Sequence, residues 1–263
     1  MAADDQAMTF EQSVQAAIEL DAPLNERLGV IAAAVRRLNS EFADAVERLV
    51  DRLEKQGAGT MAPTAGEAMP GFLLPDDDGR LVSLAEILAK GPAIITFQRG
   101  HWCPYCRLNA IGIVEVQREI AELGGQVIAI MPERRKFAKA MKALVGAQFP
   151  FLIDMDNGYA LSLNLAIWVG AEMERLMGLG LDIPNYQGNS SWFMPIPATF
   201  HRRNERDHYG SLRRSGLPPP HGHRRPDRGA QAGSLTPKDD QSAALSRFSS
   251  VVATGARCRP ATA

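Results

Sequence analysis

Three consecutive patterns between residues 94 and 131 limit the fold more than anything else in the chain. Residues 94–97 are apolar and largely branched, as in a buried strand, and residues 107–123 have apolar side chains at helical spacing. Residues 126–131 repeat the buried-strand pattern. A strand, a crossover helix and a second strand predict a parallel, right-handed βαβ unit. The sequence therefore predicts an α/β domain.

A cysteine pair, Cys103 and Cys106, lies where the first of these strands passes into the helix. The first turn of a helix offers free backbone N–H groups and the positive end of the dipole, and both favour a thiolate over a thiol. The two-residue spacing lets the second sulfur close a disulfide within one turn. Arg99 and His101 precede the pair and can add positive potential, although an exposed His101 without a role is the simpler interpretation. The motif predicts a redox-active dithiol.

Composition excludes several classes of function. The chain has 263 residues, 45% of them hydrophobic, and a net charge of −1, so nothing points to nucleic acid or to an acidic membrane as partner. No stretch approaches the roughly 18 to 20 apolar residues of a membrane span. The first residues have neither the basic nor the apolar region of a secretory signal. The expected location is the cytoplasm, where a Cys-x-x-Cys pair is more often catalytic or metal-binding than structural.

A metal site is the less favoured use of this pair. Structural zinc needs four ligands, and only Cys103, Cys106 and His101 cluster in the sequence. We therefore expect no metal.

The rest of the chain divides into three parts. Residues 1–56 predict two amphipathic helices, which serve either as a dimerisation or partner-docking face or as an appendage packed on the main domain. After a linker, residues 66–200 form the predicted α/β domain. Residues 201–263 carry a net charge of +7 with 11 Arg and six Pro, a composition that predicts a disordered tail. A basic tail can contact anionic partners, or it is an extension without function.

Within the α/β domain, short-range patterns predict further elements. An Asp-Gly turn at residues 78–79 separates two short apolar segments, as in a hairpin. Ser83 is positioned to cap a short helix. Residues 133–145 predict an amphipathic helix, residues 157–168 another, and residues 170–192 an irregular excursion with one helical turn.

Taken together, four segments resemble the peroxiredoxin-like branch of the thioredoxin fold, in the alkyl hydroperoxide reductase and thiol-specific antioxidant group. They are Pro70-x-Phe72-x-Leu74, Arg99-Gly100-His101-Trp102-Cys103-Pro104-Tyr105-Cys106, Ala129-Ile130-Met131-Pro132 and Ile196-Pro197-Ala198-Thr199-Phe200. The resemblance implies a thioredoxin-like fold with an N-terminal helical extension. It also implies a cis peptide bond before Pro197, beside the dithiol. Trp102, Pro104 and Tyr105 would then surround the thiols, or simply pack.

The resemblance further implies a thiol-dependent peroxidase. One thiolate attacks hydrogen peroxide or an organic hydroperoxide, the other closes an intramolecular disulfide, and a thioredoxin-like donor reduces it, with no cofactor. A thioredoxin-type geometry makes Cys103 the attacking sulfur in thiol exchange, whereas the peroxiredoxin alignment favours Cys106, so the sequence leaves open which cysteine attacks the peroxide. The Thr of the ordinary peroxiredoxin loop has no counterpart, because Cys103 or Gly100 takes its position. In the family a distant Arg orients the peroxide together with this Thr, and the sequence identifies no residue that matches that Arg.

Two alternative interpretations of the chain's function are compatible with the same cysteine motif. One is a thiol–disulfide oxidoreductase without peroxidase activity. The other is an inactive gene product, because the abrupt change in composition after Phe200 resembles translation in a wrong reading frame. In the related proteins the strand that begins at Ala198 continues into another strand and a last helix, whereas here basic residues interrupt it. Resequencing of the coding region tests this hypothesis. A homodimer is one arrangement that the N-terminal helices allow.

Overall fold

The computed structural model describes residues 8–64, 67–202 and 210–211, with the backbone alone for the last two. Its central element is a five-stranded mixed sheet. The strands of this sheet are β3 (Ala93–Phe97), β4 (Gln126–Met131), β5 (Phe151–Ile153), β8 (Ala198–Arg202) and β9 (Gly210–Ser211). Their order is β5-β4-β3-β8-β9. The parallel pairs are β3–β4 and β4–β5, and the antiparallel pairs are β3–β8 and β8–β9.

Two small antiparallel sheets accompany the central one. The first is the hairpin of β1 (Leu73–Pro75) and β2 (Leu81–Ser83), which confirms the hairpin predicted at the Asp-Gly turn. The second pairs β6 (Ala166–Trp168) with β7 (Phe193–Pro195). Within the described part of the chain, the helices are α1 (Phe10–Glu19), α2 (Leu24–Leu38), α3 (Ser40–Lys55), α4 (Leu84–Lys90), α5 (Pro104–Glu122), α6 (Arg135–Val145), α7 (Gly158–Ser162), α8 (Ala171–Gly178) and α9 (Ile183–Gln187).

The predicted βαβ unit is present, with β3 and β4 joined by α5. Side chains of β3 alternate between two cores, because successive residues of a strand point to opposite faces. Ile95 and Phe97 pack with the hairpin, α4 and α7 on one face. Ile94 packs on the other face with residues of α5 and α6, in the cluster that also contains both cysteines. The strand β3 is therefore covered on both faces of the sheet, and the cysteine motif follows at its carboxyl end.

The N-terminal region forms three helices, not the predicted two. The extra break falls at Asn39, whose side-chain oxygen accepts a hydrogen bond from the Phe42 N–H and caps α3. Asparagine favours such a cap over a helix interior because its amide competes for nearby backbone groups. Helices α1 and α2 lie on α5, where Ala17 and Ile31 pack with Leu108, and α3 packs against α8. This packing fits the predicted appendage.

Two further element predictions are wrong in detail. The helix predicted over residues 157–168 stops at Ser162, and Ala166–Trp168 is a strand paired with β7. A short apolar run does not distinguish a helix from a strand, and here pairing with a distant segment decides. The excursion over residues 170–192 holds two helices, α8 and α9, instead of one turn.

The end of the domain departs less from a regular strand than expected. The strand β8 continues through His201 to Arg202 and pairs along its whole length with β3. Gly210–Ser211 adds the edge strand β9. The remaining predictions for the tail, its disorder and the reading-frame hypothesis, fall on residues outside the described ranges. Among the described helices, not one combines the length and apolar character that crossing a membrane requires.

Candidate active site

The cysteine motif begins α5 at the carboxyl end of β3. Cys103 is the N-cap residue, and its sulfur accepts a hydrogen bond from the Cys106 N–H at 3.4 Å. Pro104 occupies the first turn, where a missing N–H costs nothing. The Cys106 sulfur in turn accepts a hydrogen bond from the Arg99 backbone N–H at 3.3 Å. Both cysteines are free thiols and almost fully buried.

The two sulfurs differ in their electrostatic environment. Burial raises the pKa of Cys106, but the hydrogen bond from the Cys103 thiol and the positive charge of Arg99 outweigh it and lower that pKa to about 6. Burial also raises the pKa of Cys103, well above its usual value, and donation of its proton to Cys106 adds to this effect. At neutral pH the arrangement therefore favours a Cys106 thiolate beside a protonated Cys103. This is the reverse of the order that thioredoxin-type geometry predicts.

Cys106 also faces a cavity of about 370 Å³. Arg99 and Tyr105 line it at the sulfur, and the Arg99 guanidinium carbon lies 5.9 Å from the centre of the Tyr105 ring. The Nε–H of Arg99 is buried and has no hydrogen-bond acceptor among the described residues. Burial raises the pKa of Tyr105 to about 12, so its phenol keeps its proton at neutral pH. Cys103 is not among the lining residues.

Pro197 lines the same cavity as Cys106, as the resemblance predicts, but the predicted cis bond is absent. No peptide bond in the described ranges is cis, so the Ile196–Pro197 bond is trans. The trans form of an X–Pro bond is favoured by about 0.5–1 kcal/mol unless the surroundings select the other. Here Ile196 donates its N–H to the Leu165 carbonyl at 2.7 Å, and β8 starts at Ala198 with the trans bond in place.

Glu133 fixes the turn that precedes the cysteines. Its side chain is completely buried, and one carboxylate oxygen accepts the His101 backbone N–H at 2.7 Å. The other oxygen lies 2.8 Å from His101 Nδ1. Gly100 is needed at this turn, because a Cβ there would lie 2.4 Å from Trp102 Nε1 and 2.7 Å from Glu133 Oε1.

His101 is therefore not the exposed side chain of the simpler interpretation. Its ring is paired with Glu133, stacks on Phe137 with centroids 4.9 Å apart, and meets the edge of Tyr186. Trp102 packs between the cysteine cluster and the core around α8. The position of Glu133 has a sequence signal, because it follows the carboxyl end of β4, next to the carboxyl end of β3 in a parallel sheet.

Gln98 and Asn109 are cavity residues that the motif does not include. The Gln98 amide donates to Thr96 Oγ1 at 3.0 Å and to Asn109 Oδ1 at 3.3 Å. Both line the cavity with Cys106. The described residues contain no group of three or more His, Cys, Asp or Glu side chains arranged to hold a metal ion.

The sheet order, the cysteine pair at a helix start and the proline beside it define a protein of the thioredoxin fold with a dithiol site. Comparison with known proteins adds a family similarity for part of the chain. Residues 64–179 match the Redoxin family model. Over this segment, which ends just after α8, the chain is similar to Redoxin proteins.

The similar proteins share part of their length with this chain. A "Putative peroxiredoxin bcp" of Coxiella burnetii is 29% identical over 97 residues, which cover 37% of this chain and 64% of that protein. A Mycobacterium tuberculosis protein, also named "Putative peroxiredoxin", is 30% identical over 94 residues, covering 36% of this chain and 59% of its own length. The solved structure of Peroxidoxin BcpB from Mycobacterium tuberculosis has a TM-score of 0.48 at 16% identity, covering 72% of this chain and 96% of that one.

Proposed function

We propose that the protein is a two-cysteine thiol peroxidase in which Cys106 attacks the peroxide and Cys103 resolves the product. The observation that carries this proposal is that Cys106 is the sulfur that lines the cavity, with a pKa lowered to about 6 beside Arg99. A thiolate is the nucleophile in such chemistry, and a lowered pKa keeps it ionised at neutral pH. The peroxiredoxin alignment assigns attack to the same residue.

The proposed reaction has three steps. The Cys106 thiolate attacks the terminal oxygen of a hydroperoxide, the O–O bond breaks, and the departing alkoxide or hydroxide takes up a proton to leave as alcohol or water. Cys106 is then a sulfenic acid. The Cys103 thiol attacks that sulfur, and a disulfide forms with release of water. An external dithiol, thioredoxin-like in chemistry, reduces the disulfide by exchange and is itself oxidised.

Arg99 supplies two contributions to this chemistry. Its positive charge stabilises the thiolate in a buried place where burial alone would protonate it. Its buried Nε–H lacks an acceptor among the described residues, so it is available to a peroxide oxygen bound in the cavity. A donor at that point stabilises the negative charge that develops on the leaving oxygen. Arg99 is therefore our candidate for the peroxide-binding arginine of the family, for which the sequence alone identified no match.

Separate serine variants test the assignment. We expect wild-type protein with an excess of dithiol to consume peroxide, Cys106→Ser to form no sulfenic acid, and Cys103→Ser to form sulfenic acid once without turnover. Cys258→Ser, in the tail, is the control for the third thiol and should behave as wild type. Sulfenic acid formed by Cys106→Ser and not by Cys103→Ser would reverse the two roles.

The main alternative is a thiol–disulfide oxidoreductase, which needs the same dithiol at a helix start. It predicts reduction of a protein disulfide without consumption of peroxide. The same protein preparations separate the two functions, because peroxide loss and disulfide exchange are measured independently. The cytoplasmic location and the homodimer remain predictions from the sequence.

A further inference from the structure

The outer wall of the thiol cavity comes from helices α2 and α3, which lie outside the segment that matches Redoxin. These helices contribute four apolar side chains to the lining: Leu28, Leu49, Val50 and Leu53. Ile167, Pro195, Ile196 and Pro197 continue the apolar lining from the strands and the connection between them. Val50 and Leu53 are only half-buried and belong to none of the hydrophobic clusters of the described residues. Their exposed apolar surface lines the cavity.

The cavity is much larger than hydrogen peroxide. A water molecule occupies about 30 Å³ in the liquid, and hydrogen peroxide has only one oxygen more. The volume of about 370 Å³ is in the range of sites for small organic ligands, about 300–1,000 Å³. Such sites are mostly apolar with a few polar groups that fix the orientation. Here Arg99, Gln98 and Asn109 lie close to Cys106 in the sequence, Glu54 and Thr60 are the polar lining residues from α3 and the segment after it, and most of the other lining residues are apolar.

The charges in the lining restrict the ligand further. Among the lining residues, the charged side chains are Arg99, beside the thiol, and Glu54, which is exposed on α3. A hydroperoxide with a carboxylate at its far end would meet the negative charge of Glu54 and no lining cation other than Arg99. A hydroperoxide with an uncharged organic part avoids this repulsion, and that part covers Leu53 and Val50.

We propose that helices α2 and α3 make the protein selective for uncharged organic hydroperoxides, whose hydroperoxy group lies at Cys106 and whose apolar body packs on Leu49, Val50 and Leu53. This inference rests on the proposed peroxidase activity. The chemistry is unchanged: the O–O bond of the organic hydroperoxide breaks, two thiols are oxidised to a disulfide, and one alcohol and one water are released.

The experiment compares cumene hydroperoxide with hydrogen peroxide in wild type and in Leu53→Asn. We expect a higher kcat/KM for cumene hydroperoxide in the wild type. Leu53→Asn should lower that value about tenfold, the size of effect usual for a lost apolar contact in a pocket, and change the value for hydrogen peroxide less than about twofold. Val46→Asn is the matched control, because Val46 lies on the same helix, half-buried, but packs against α8 and does not line the cavity. It should leave the ratio of the two values unchanged.

A second measurement does not depend on turnover. The alcohol product, 2-phenyl-2-propanol, should slow alkylation of Cys106 in the wild type and in Val46→Asn, but not in Leu53→Asn. Equal losses for both peroxides in Leu53→Asn, or no protection by the alcohol in the wild type, would overturn the selectivity. Protection by the alcohol together with no consumption of any peroxide would instead overturn the proposed peroxidase and leave the apolar site standing.

Discussion

At the scale of single residues, the Cys103 thiol and Arg99 together keep Cys106 ionised: the hydrogen bond from Cys103 and the charge of Arg99 both lower its pKa. A thiol buried to this degree would ordinarily hold its proton, because a charge removed from water is costly. The guanidinium is permanently charged, and it stands beside the sulfur where burial reduces screening by solvent. The backbone N–H of the same residue donates to that sulfur at 3.3 Å. One residue therefore acts on the thiolate through both its main chain and its side chain.

Replacing the guanidinium tests this account. In Arg99→Met the backbone hydrogen bond remains and the positive charge is lost, so the pKa of Cys106 should rise from about 6 toward the usual thiol value near 8.5. Reactivity at pH 7 should fall about tenfold, because each pH unit by which the pKa exceeds the pH costs about tenfold in thiolate. Ultraviolet absorbance of the thiolate against pH measures the midpoint. Arg99→Lys should give an intermediate value, and Arg118→Gln, exposed on α5, should give the wild-type one. An unchanged midpoint in Arg99→Met contradicts the role of the charge.

Much of this residue-level chemistry could be predicted from the sequence, because the motif is local. The cysteines, Arg99 and the helix start lie within eight consecutive residues, so chain geometry alone brings them together. The pKa order of the two sulfurs could not be predicted this way, because it depends on burial and on which sulfur meets the guanidinium. Glu133 was missed for a similar reason, since its contact with His101 spans 32 residues.

At the scale of elements, Arg27 joins the helical extension to the α/β domain. It lies on α2 and is almost fully buried. Its guanidinium donates to the carbonyls of Ala17 and Ile18 at 3.0 and 2.9 Å and pairs with Glu115 of α5 at 3.0 Å. One side chain thus satisfies the end of α1 and holds α2 on α5. Because α2 and α3 line the thiol cavity, this contact also supports the cavity wall.

We expect Arg27→Met to lower the free energy of unfolding by about 2–3 kcal/mol. The variant keeps most of the side-chain volume but removes the donor from the buried Ala17 carbonyl and the partly buried Ile18 carbonyl, and leaves Glu115 without this partner. The loss stays below that of a fully buried pair because Glu115 retains 25% exposure and can be solvated. Guanidinium denaturation measures this loss. The control is Arg36→Met, on the same helix, whose side chain is 41% exposed and pairs with Asp44 and Glu47 at the surface. A loss equal to that of the control would mean that Arg27 does not anchor the extension.

Element prediction succeeds where amphipathic periods are long and fails where pairing is distant. Helix α6 has a clear apolar face, and its predicted range of 133–145 matches Arg135–Val145 closely. By contrast, Ala166–Trp168 is only three residues long, and its strand conformation is set by β7, which begins 25 residues later. The apolar residues of α2 and α3 predicted amphipathic helices, but no local pattern shows that Leu53 faces a cavity beside Cys106.

At the scale of the whole molecule, the low pKa of Cys106 couples the redox site to stability. In the unfolded chain this thiol has an ordinary pKa near 8.5, whereas in the folded protein it is about 6. Between these two values the unfolded state binds more protons than the folded state, so stability rises with pH. Below about pH 6 both states are protonated and the contribution is lost. The raised pKa of Cys103 has the opposite effect on stability. It makes stability fall as pH increases, but only above the ordinary pKa of a cysteine.

The reduced protein should therefore become more stable, relative to Cys106→Ser, as pH increases from about 6 to about 8.5. The difference in free energy of unfolding should grow with a slope of at most about 1.4 kcal/mol per pH unit, the limit for one proton. Guanidinium denaturation under a phosphine reductant gives both curves, and subtracting the variant cancels the titration of the groups that do not contact Cys106. Cys258→Ser should run parallel to wild type at all pH values. A difference that stays constant with pH would mean that Cys106 is protonated in the folded protein, and the nucleophile assigned to the cavity would lose its electrostatic basis.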